Sequence, residues 1–136
     1  VTGVQTCALP ILKERVIVRE RVVDIEDYLG AADLGLFSSE SESFCLSMLE
    51  GMWFGCPSVS TRVGGVPEVA IAGESGVLVP AGDADALARG AESLLADPAR
   101  RRRLGEAARL RAHQLFSADA IVPRYEELYR RVCALS

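Results

Sequence analysis

Glu42 and Glu50 stand with seven residues between them in the run Glu42-Ser-Phe-Cys-Leu-Ser-Met-Leu-Glu50, which reads as a loop entering a helix. A carboxylate accepts hydrogen bonds from paired hydroxyls, so two acids at such a place suit sugar chemistry. Serines crowd the approach (Ser38, Ser39, Ser41, Ser43) and good helix formers follow from Leu46 to Met52, which puts the helix start near Ser43 or Phe44. A helix start carries unpaired N–H donors and the positive end of the helix dipole, and can hold a phosphate. Glu42 is then expected just outside the first turn and Glu50 about two turns in, within reach of one ligand.

The surrounding pattern supplies a frame for that junction. From Arg15 onward short apolar runs alternate with helical segments: Val16 to Val18, an amphipathic stretch from Ile25 to Ala32, Leu34 to Phe37, and the helix from about Phe44 to Phe54, which Gly55-Cys56-Pro57 stops. Ser58 to Ser60 is a short buried strand, Gly64-Gly65 a turn, Pro67 opens a brief helix, and Gly76 to Val79 is another strand. Beyond Pro80-Ala-Gly82 the chain is helical, with Asp83, Asp97 and Ser117 as N-caps and Pro98 at a first helical position. The alternation predicts an α/β fold, a parallel sheet with helices on both faces, ending in helices. In such sheets ligands bind beyond the carboxyl ends of the strands, so the loop through residues 38–43 and the loop with Gly64 and Gly65 are expected to open on one side and line one crevice. Paired glycines allow positive φ and close approach to a ligand; the competing reading is a tight turn.

Composition narrows the classes. The 136 residues are 49% hydrophobic and 25% charged, enough for one domain with a real core. A net charge of −4 argues against a nucleic-acid binder. The arginines from Arg100 to Arg103, with Arg109 and Arg111, are interleaved with apolar residues at helical spacing and read as a solvated helix face rather than a membrane patch. Cys7, Cys45, Cys56 and Cys133 form no Cys-x-x-Cys pair, and the only histidine is His113, so no metal site is implied. No apolar run spans a bilayer and no leader of the secretory kind is present, which reads as a cytoplasmic chain with reduced thiols and no transmembrane segment. Residues 1–12, uncharged and abruptly joined to Lys13-Glu14-Arg15, read as an extraneous leader, with a short N-terminal strand as the alternative; residues 13–136 are the domain.

Together these residues resemble the family 4 glycosyltransferases, whose nucleotide-sugar site is marked by two glutamates at this spacing with Ser-Phe-Gly after the first position. The likeness rests on Glu42-Ser43-Phe44 to Glu50, on Tyr28-Leu-Gly-Ala-Ala-Asp33 before it, and on Glu50-Gly-Met-Trp-Phe-Gly-Cys-Pro57, Val63-Gly-Gly-Val-Pro-Glu68 and Gly76-Val-Leu-Val-Pro80 after it. It covers about residues 15 to 134. Within the family the chain is most similar to the N-acetylglucosaminyl L-malate synthases of bacillithiol biosynthesis, judged from Glu42-Ser43-Phe44 and Ile121-Val-Pro-Arg-Tyr-Glu126.

The resemblance implies the C-terminal, donor-binding half of a GT-B glycosyltransferase, with the N-terminal acceptor domain missing. It implies a retaining transfer from a nucleotide-diphosphate sugar, UDP-N-acetylglucosamine in the nearest subfamily, to an acceptor such as L-malate. Carried over by position, Glu42 is the catalytic-site carboxylate that accepts from hydroxyls of the transferred sugar, and Glu50 accepts from the ribose hydroxyls. The backbone amides of Phe44, Cys45, Leu46 and Ser47 meet sugar and diphosphate, with Gly64 and Gly65 as a possible second loop. No metal or other cofactor is implied, because the helix terminus offsets the phosphate charge.

Two departures bear on this expectation. Cys45 stands where the family has glycine: a negative φ there would cost little, whereas a positive φ would strain the residue by about 1 kcal/mol or more. The family's catalytic Arg and Lys belong to the segment preceding residue 15 and have no match, so the chain alone is expected not to turn over. Rival readings are a sugar-nucleotide epimerase or glycogen-synthase-like protein, and a non-catalytic Rossmann-like binding or scaffold module. Trp53 and Phe54 are expected in the core rather than at a base, and Tyr125 and Tyr129 as a packing pair on a last helix whose apolar face is left open.

Overall fold

A computed structural model describes residues 15–19 and 21–134. The expected leader at residues 1–12, including Cys7, lies outside them. The elements in chain order are α1 (Ile25–Ala31), β1 (Gly35–Phe37), α2 (Leu46–Trp53), β2 (Ser58–Thr61), α3 (Val66–Val69), β3 (Val77–Val79), α4 (Ala84–Leu95), α5 (Pro98–Phe116) and α6 (Ala118–Cys133). The strands form one parallel sheet in the order β1-β2-β3, with Phe37 level with Ser60 and Ser60 level with Leu78.

Successive strand residues point to opposite faces, so this register sorts the apolar side chains into two layers. Phe37 and Leu78 pack with Met48 and Met52 of α2, with Val66 and Val69 of α3, and with Ala108 and Ala112 of α5. Val59 and Val77, one register step away, pack on the opposite side with Leu87, Ala91 and Leu94 of α4 and Leu104 of α5. α5 therefore spans both layers, and small residues let it lie close. A Cβ on Gly105 would overlap the carbonyl oxygen of Gly55 at the end of α2.

The predicted α/β architecture with helices on both faces of a parallel sheet and a helical ending is the one observed. Two segments differ from expectation. Val16 to Val18 form no strand and are exposed, since a strand exists by pairing and no backbone bond among the described residues holds them. α1 has no buried residue, so its amphipathic pattern lies on the surface. α6 likewise buries no side chain, and Val122, Tyr125, Leu128 and Tyr129 are exposed along it, in keeping with the open apolar face expected of the last helix. The Tyr125 and Tyr129 rings do pair, 6.5 Å apart.

The arginine face is only partly solvated. Arg102, Arg103 and Arg109 are exposed, but Arg101 forms an ion pair with Asp33 at 2.9 Å and Arg111 donates to backbone carbonyls of α3. A long guanidinium can cover apolar surface and still reach a partner, which composition alone does not reveal.

Candidate functional site

Both βα loops anticipated from the sequence lie at the carboxyl end of the sheet and touch. Gly64 has φ +49°, and a Cβ on it would overlap the carbonyl oxygen of Glu42; a Cβ on Gly65 would overlap that of Ser43. The close approach that the paired glycines permit is therefore made to the loop of residues 42–43. Thr61 at the end of β2 adds a tie, donating its hydroxyl to the carbonyl of Ser39 at 2.6 Å. The two loops form one wall.

Out of that wall comes α2, which begins at Leu46 with Cys45 at its N-cap, later than the expected start at Ser43 or Phe44. The delay has a packing cause. Ser43 is held against Gly65, and the Phe44 ring turns inward to meet Phe116 edge-on at 5.7 Å, so helical geometry is reached only afterwards. Cys45 has φ 62° and ψ 60°, the left-handed region, and no side chain caps the helix. The strained alternative foreseen for this position is the one adopted, and it costs a non-glycine residue roughly 1–2 kcal/mol. The first backbone bonds of the helix run from Met48 and Leu49 back to the Cys45 carbonyl. Among the described residues the amides of Cys45, Leu46 and Ser47 donate to nothing, and the Phe44 amide just before them is likewise unengaged.

The mouth of α2 is open. Leu46 is 64% exposed and Ser47 is exposed, whereas the Cys45 side chain is buried beneath them. Burial pushes the Cys45 thiol up from its ordinary pKa; the Met48 N–H works against the rise, and the nearby Glu42 carboxylate adds to it. Cys45 is thus a neutral thiol beside Glu42. Glu42 itself is half-buried and accepts from the Ser39 hydroxyl at 3.3 Å, which fixes it at the rim of the mouth.

Glu50 is exposed and is the fifth residue of α2, little more than one turn in rather than the expected two. It lines a groove of about 530 Å³ between α1 and α2, whose walls are Ile25, Leu29, Leu49, Trp53 and Phe54 with Glu26. Trp53 and Phe54 are not core residues: they are 37% and 46% exposed. The inward stripe of α2 is filled by Met48, Gly51 and Met52, so the next two positions fall outside it. Trp53 stacks instead on His113 of α5, ring centroids 3.9 Å apart, and Phe54 forms part of the groove. Sequence reasoning missed this groove. Its signal was the apolar face of α1, which the helical period shows but whose neighbour it does not.

The geometry therefore offers unpaired amides at a helix N-terminus, one carboxylate at their rim, and a second carboxylate beside an apolar slot. Unpaired amides accept anionic oxygens, and a carboxylate accepts from hydroxyls. Among the described residues no helix is long and apolar enough to cross a membrane.

Comparison with known proteins bears on what such an arrangement serves. Residues 11–111 match the family described as glycosyl transferases group 1. N-acetyl-alpha-D-glucosaminyl L-malate synthase of Bacillus anthracis is 39% identical over 118 residues, 87% of this chain and 31% of that protein. Sucrose-phosphate synthase of Thermosynechococcus elongatus superposes with a TM-score of 0.84 at 36% identity, covering 95% of this chain and 34% of that one. HepE of Anabaena, solved in complex with UDP-glucose, superposes with a TM-score of 0.76 at 26% identity, over 81% of this chain and 30% of that one. The chain spans about a third of the length of the Bacillus protein, 31%, and of alpha-maltose-1-phosphate synthase of Mycolicibacterium smegmatis, 30%.

Proposed function

The chain belongs to the glycosyl transferases of group 1, and from that premise we propose that it is the donor-binding domain of a retaining, family 4-like glycosyltransferase that uses a nucleotide-diphosphate sugar. The observation that carries this reading is the open, uncapped start of α2 beside Glu42. Amides there would receive the diphosphate, and the helix dipole would offset its charge without a divalent cation. Glu42 would accept from hydroxyls of the transferred sugar and Glu50 from the ribose, with the base entering the apolar groove beside Trp53. The role of Gly64 and Gly65 would be to brace this wall.

Stabilising the departing diphosphate would supply most of the chain's share of catalysis, since donors fixed before the reaction need no reorganisation as charge develops. The finer reading takes the donor as UDP-N-acetylglucosamine and the acceptor as L-malate, supported by the likeness to the Bacillus protein. An acceptor-binding domain would come from the remainder of the parent, so this chain alone would bind donor without turnover. The parent would work in the cytoplasm, where such donors are available and thiols stay reduced.

A competing reading, a non-catalytic scaffold, draws on Cys45, whose side chain stands where the family has none. Thermal unfolding separates the two. A rise in Tm with UDP or UDP-N-acetylglucosamine in the presence of a chelator supports the transferase; no rise with any nucleotide sugar supports the scaffold.

A further inference from the structure

We propose that Arg111, far from the mouth in sequence, is the positioning residue that clamps both walls of the donor site. It lies on α5, and its own contacts are to α3 and Phe116 rather than to any residue that would touch a ligand. Its Nε donates to the carbonyl of Val69 at 2.8 Å and its Nη2 to the carbonyl of Glu68 at 2.7 Å. These are carbonyls at the C-terminal end of α3, where the helix leaves its acceptors without N–H partners and its dipole is negative, so a guanidinium suits them in geometry and in charge. α3 starts directly after Gly65, and Gly64 and Gly65 press on the backbone of Glu42 and Ser43. One arm of the clamp thus runs from Arg111 through α3 to the loop that carries Glu42.

The other arm runs through aromatic rings. The Arg111 guanidinium carbon sits 5.9 Å from the centre of the Phe116 ring, and Phe116 meets Phe44 edge-on at 5.7 Å. Phe44 immediately precedes Cys45, the left-handed N-cap whose strained backbone holds only while its surroundings over-determine it. A single guanidinium thereby ties α3, which follows the loop after β2, and, through Phe116, the residue before the N-cap of α2 to the same point on α5. Arg111 is half-buried, as a positioning role between packed elements requires.

This assignment rests on the donor-site reading for its functional meaning, but a direct readout of the loop needs no ligand. Cys45 lies inside the clamped wall and Cys56 lies at the far end of α2; both thiols are buried and free. The full chain and its Arg111→Met variant would be alkylated with iodoacetamide under native conditions, and each thiol's rate followed by peptide mass spectrometry. Loss of the clamp should raise the opening of the Cys45 segment, and its labelling, roughly tenfold, the size expected from one charge-assisted hydrogen bond. Cys56 should label at its original rate. Arg111→Lys, which can serve one carbonyl at a time, should fall between, and Phe116→Leu should loosen Cys45 by a smaller factor.

Equal acceleration at Cys45 and Cys56 would mean that Arg111 merely stabilises the whole fold, and would overturn the proposal, as would unchanged labelling at both. UDP titration by calorimetry on the same proteins distinguishes the two layers of the account. Selective loosening of Cys45 with weakened UDP binding supports both. A parent chain that binds no UDP removes the donor reading and with it the clamp's assigned purpose, whereas normal UDP affinity in Arg111→Met removes the positioning role alone.

Discussion

The helix N-termini of this molecule are of two kinds. Three of the six, those of α4, α5 and α6, begin with a side chain that closes the first turn: Asp83 accepts from the Ala86 amide at 2.7 Å, Asp97 from the Arg100 amide at 2.9 Å, and Ser117 from the Ala120 amide at 3.2 Å. The short α1 and α3 have no side-chain cap, and neither does α2, which alone of the three begins with a left-handed residue, Cys45, and leaves its amides unengaged although serines lie upstream at positions 38, 39, 41 and 43. Its other end is closed by a glycine turn. Gly55 takes φ +75°, and the amides of Gly55 and Cys56 return to the carbonyls of Met52 and Gly51 at 2.9 Å each. The difference teaches that a strained, uncapped start is held at the one helix that opens beside Glu42, where the proposed donor site would use its free amides.

Breaking the braces of that place should produce the largest effect. Gly64→Ala adds a left-handed alanine and an overlap with the Glu42 carbonyl, and should cost roughly 2–4 kcal/mol in chemical denaturation. Gly82→Ala, at φ +78° with open space around it, should cost only the conformational part, about 1–2 kcal/mol. Equal losses would remove the steric coupling of the two loops. Next in size, Glu50→Ala should weaken UDP binding by roughly 1.5–3 kcal/mol, read by calorimetry, with little change in Tm because the side chain is exposed.

Smaller effects sharpen the contrast between capped and uncapped starts. Asp97→Ala should destabilise by about 1 kcal/mol, whereas Cys45→Gly should change stability little, since relief of the left-handed strain offsets the loss of a buried side chain. A loss at Cys45→Gly larger than that at Asp97→Ala would contradict the assignment of strain to Cys45. The smallest expected effect is a pH dependence. Burial raises the pKa of Cys45 and of Cys56, with Asp33 adding to the rise at Cys56 and the Gly35 N–H opposing it. A raised thiol pKa contributes stability that is complete below the unfolded value, about 8.5, and is lost as pH climbs through the folded one. Tm should therefore decline between neutral and alkaline pH, and decline less in Cys56→Ala.

The sequence made parts of this arrangement legible and hid others for physical reasons. Asp83, Asp97 and Ser117 could be read as caps because a capping side chain acts on an amide three residues away. The parallel sheet followed from short apolar strands alternating with helices, and the junction at Glu42 from the acids and serines themselves. The left-handed conformation of Cys45 could be posed only as an alternative, because it depends on Phe44 reaching Phe116 and on Gly64 meeting Glu42, contacts between distant segments. Trp53 and Phe54 were misread because aromatic residues at a helix end favour burial on average, while here three nearer positions already fill the inward stripe. The Arg111 clamp was invisible in an arginine-rich helix, where nothing in the local pattern separates it from its solvated neighbours.

The central claim concerns the amides at the start of α2, and backbone amide NMR reads them one by one. Titrating UDP-N-acetylglucosamine into the isotope-labelled chain without divalent cations should shift the N–H signals of Cys45, Leu46 and Ser47 most, and leave those of Ala86 and Arg100, already held by Asp83 and Asp97, in place. Saturating ligand that leaves the three amides unmoved, or that moves the capped helix starts instead, would contradict the account.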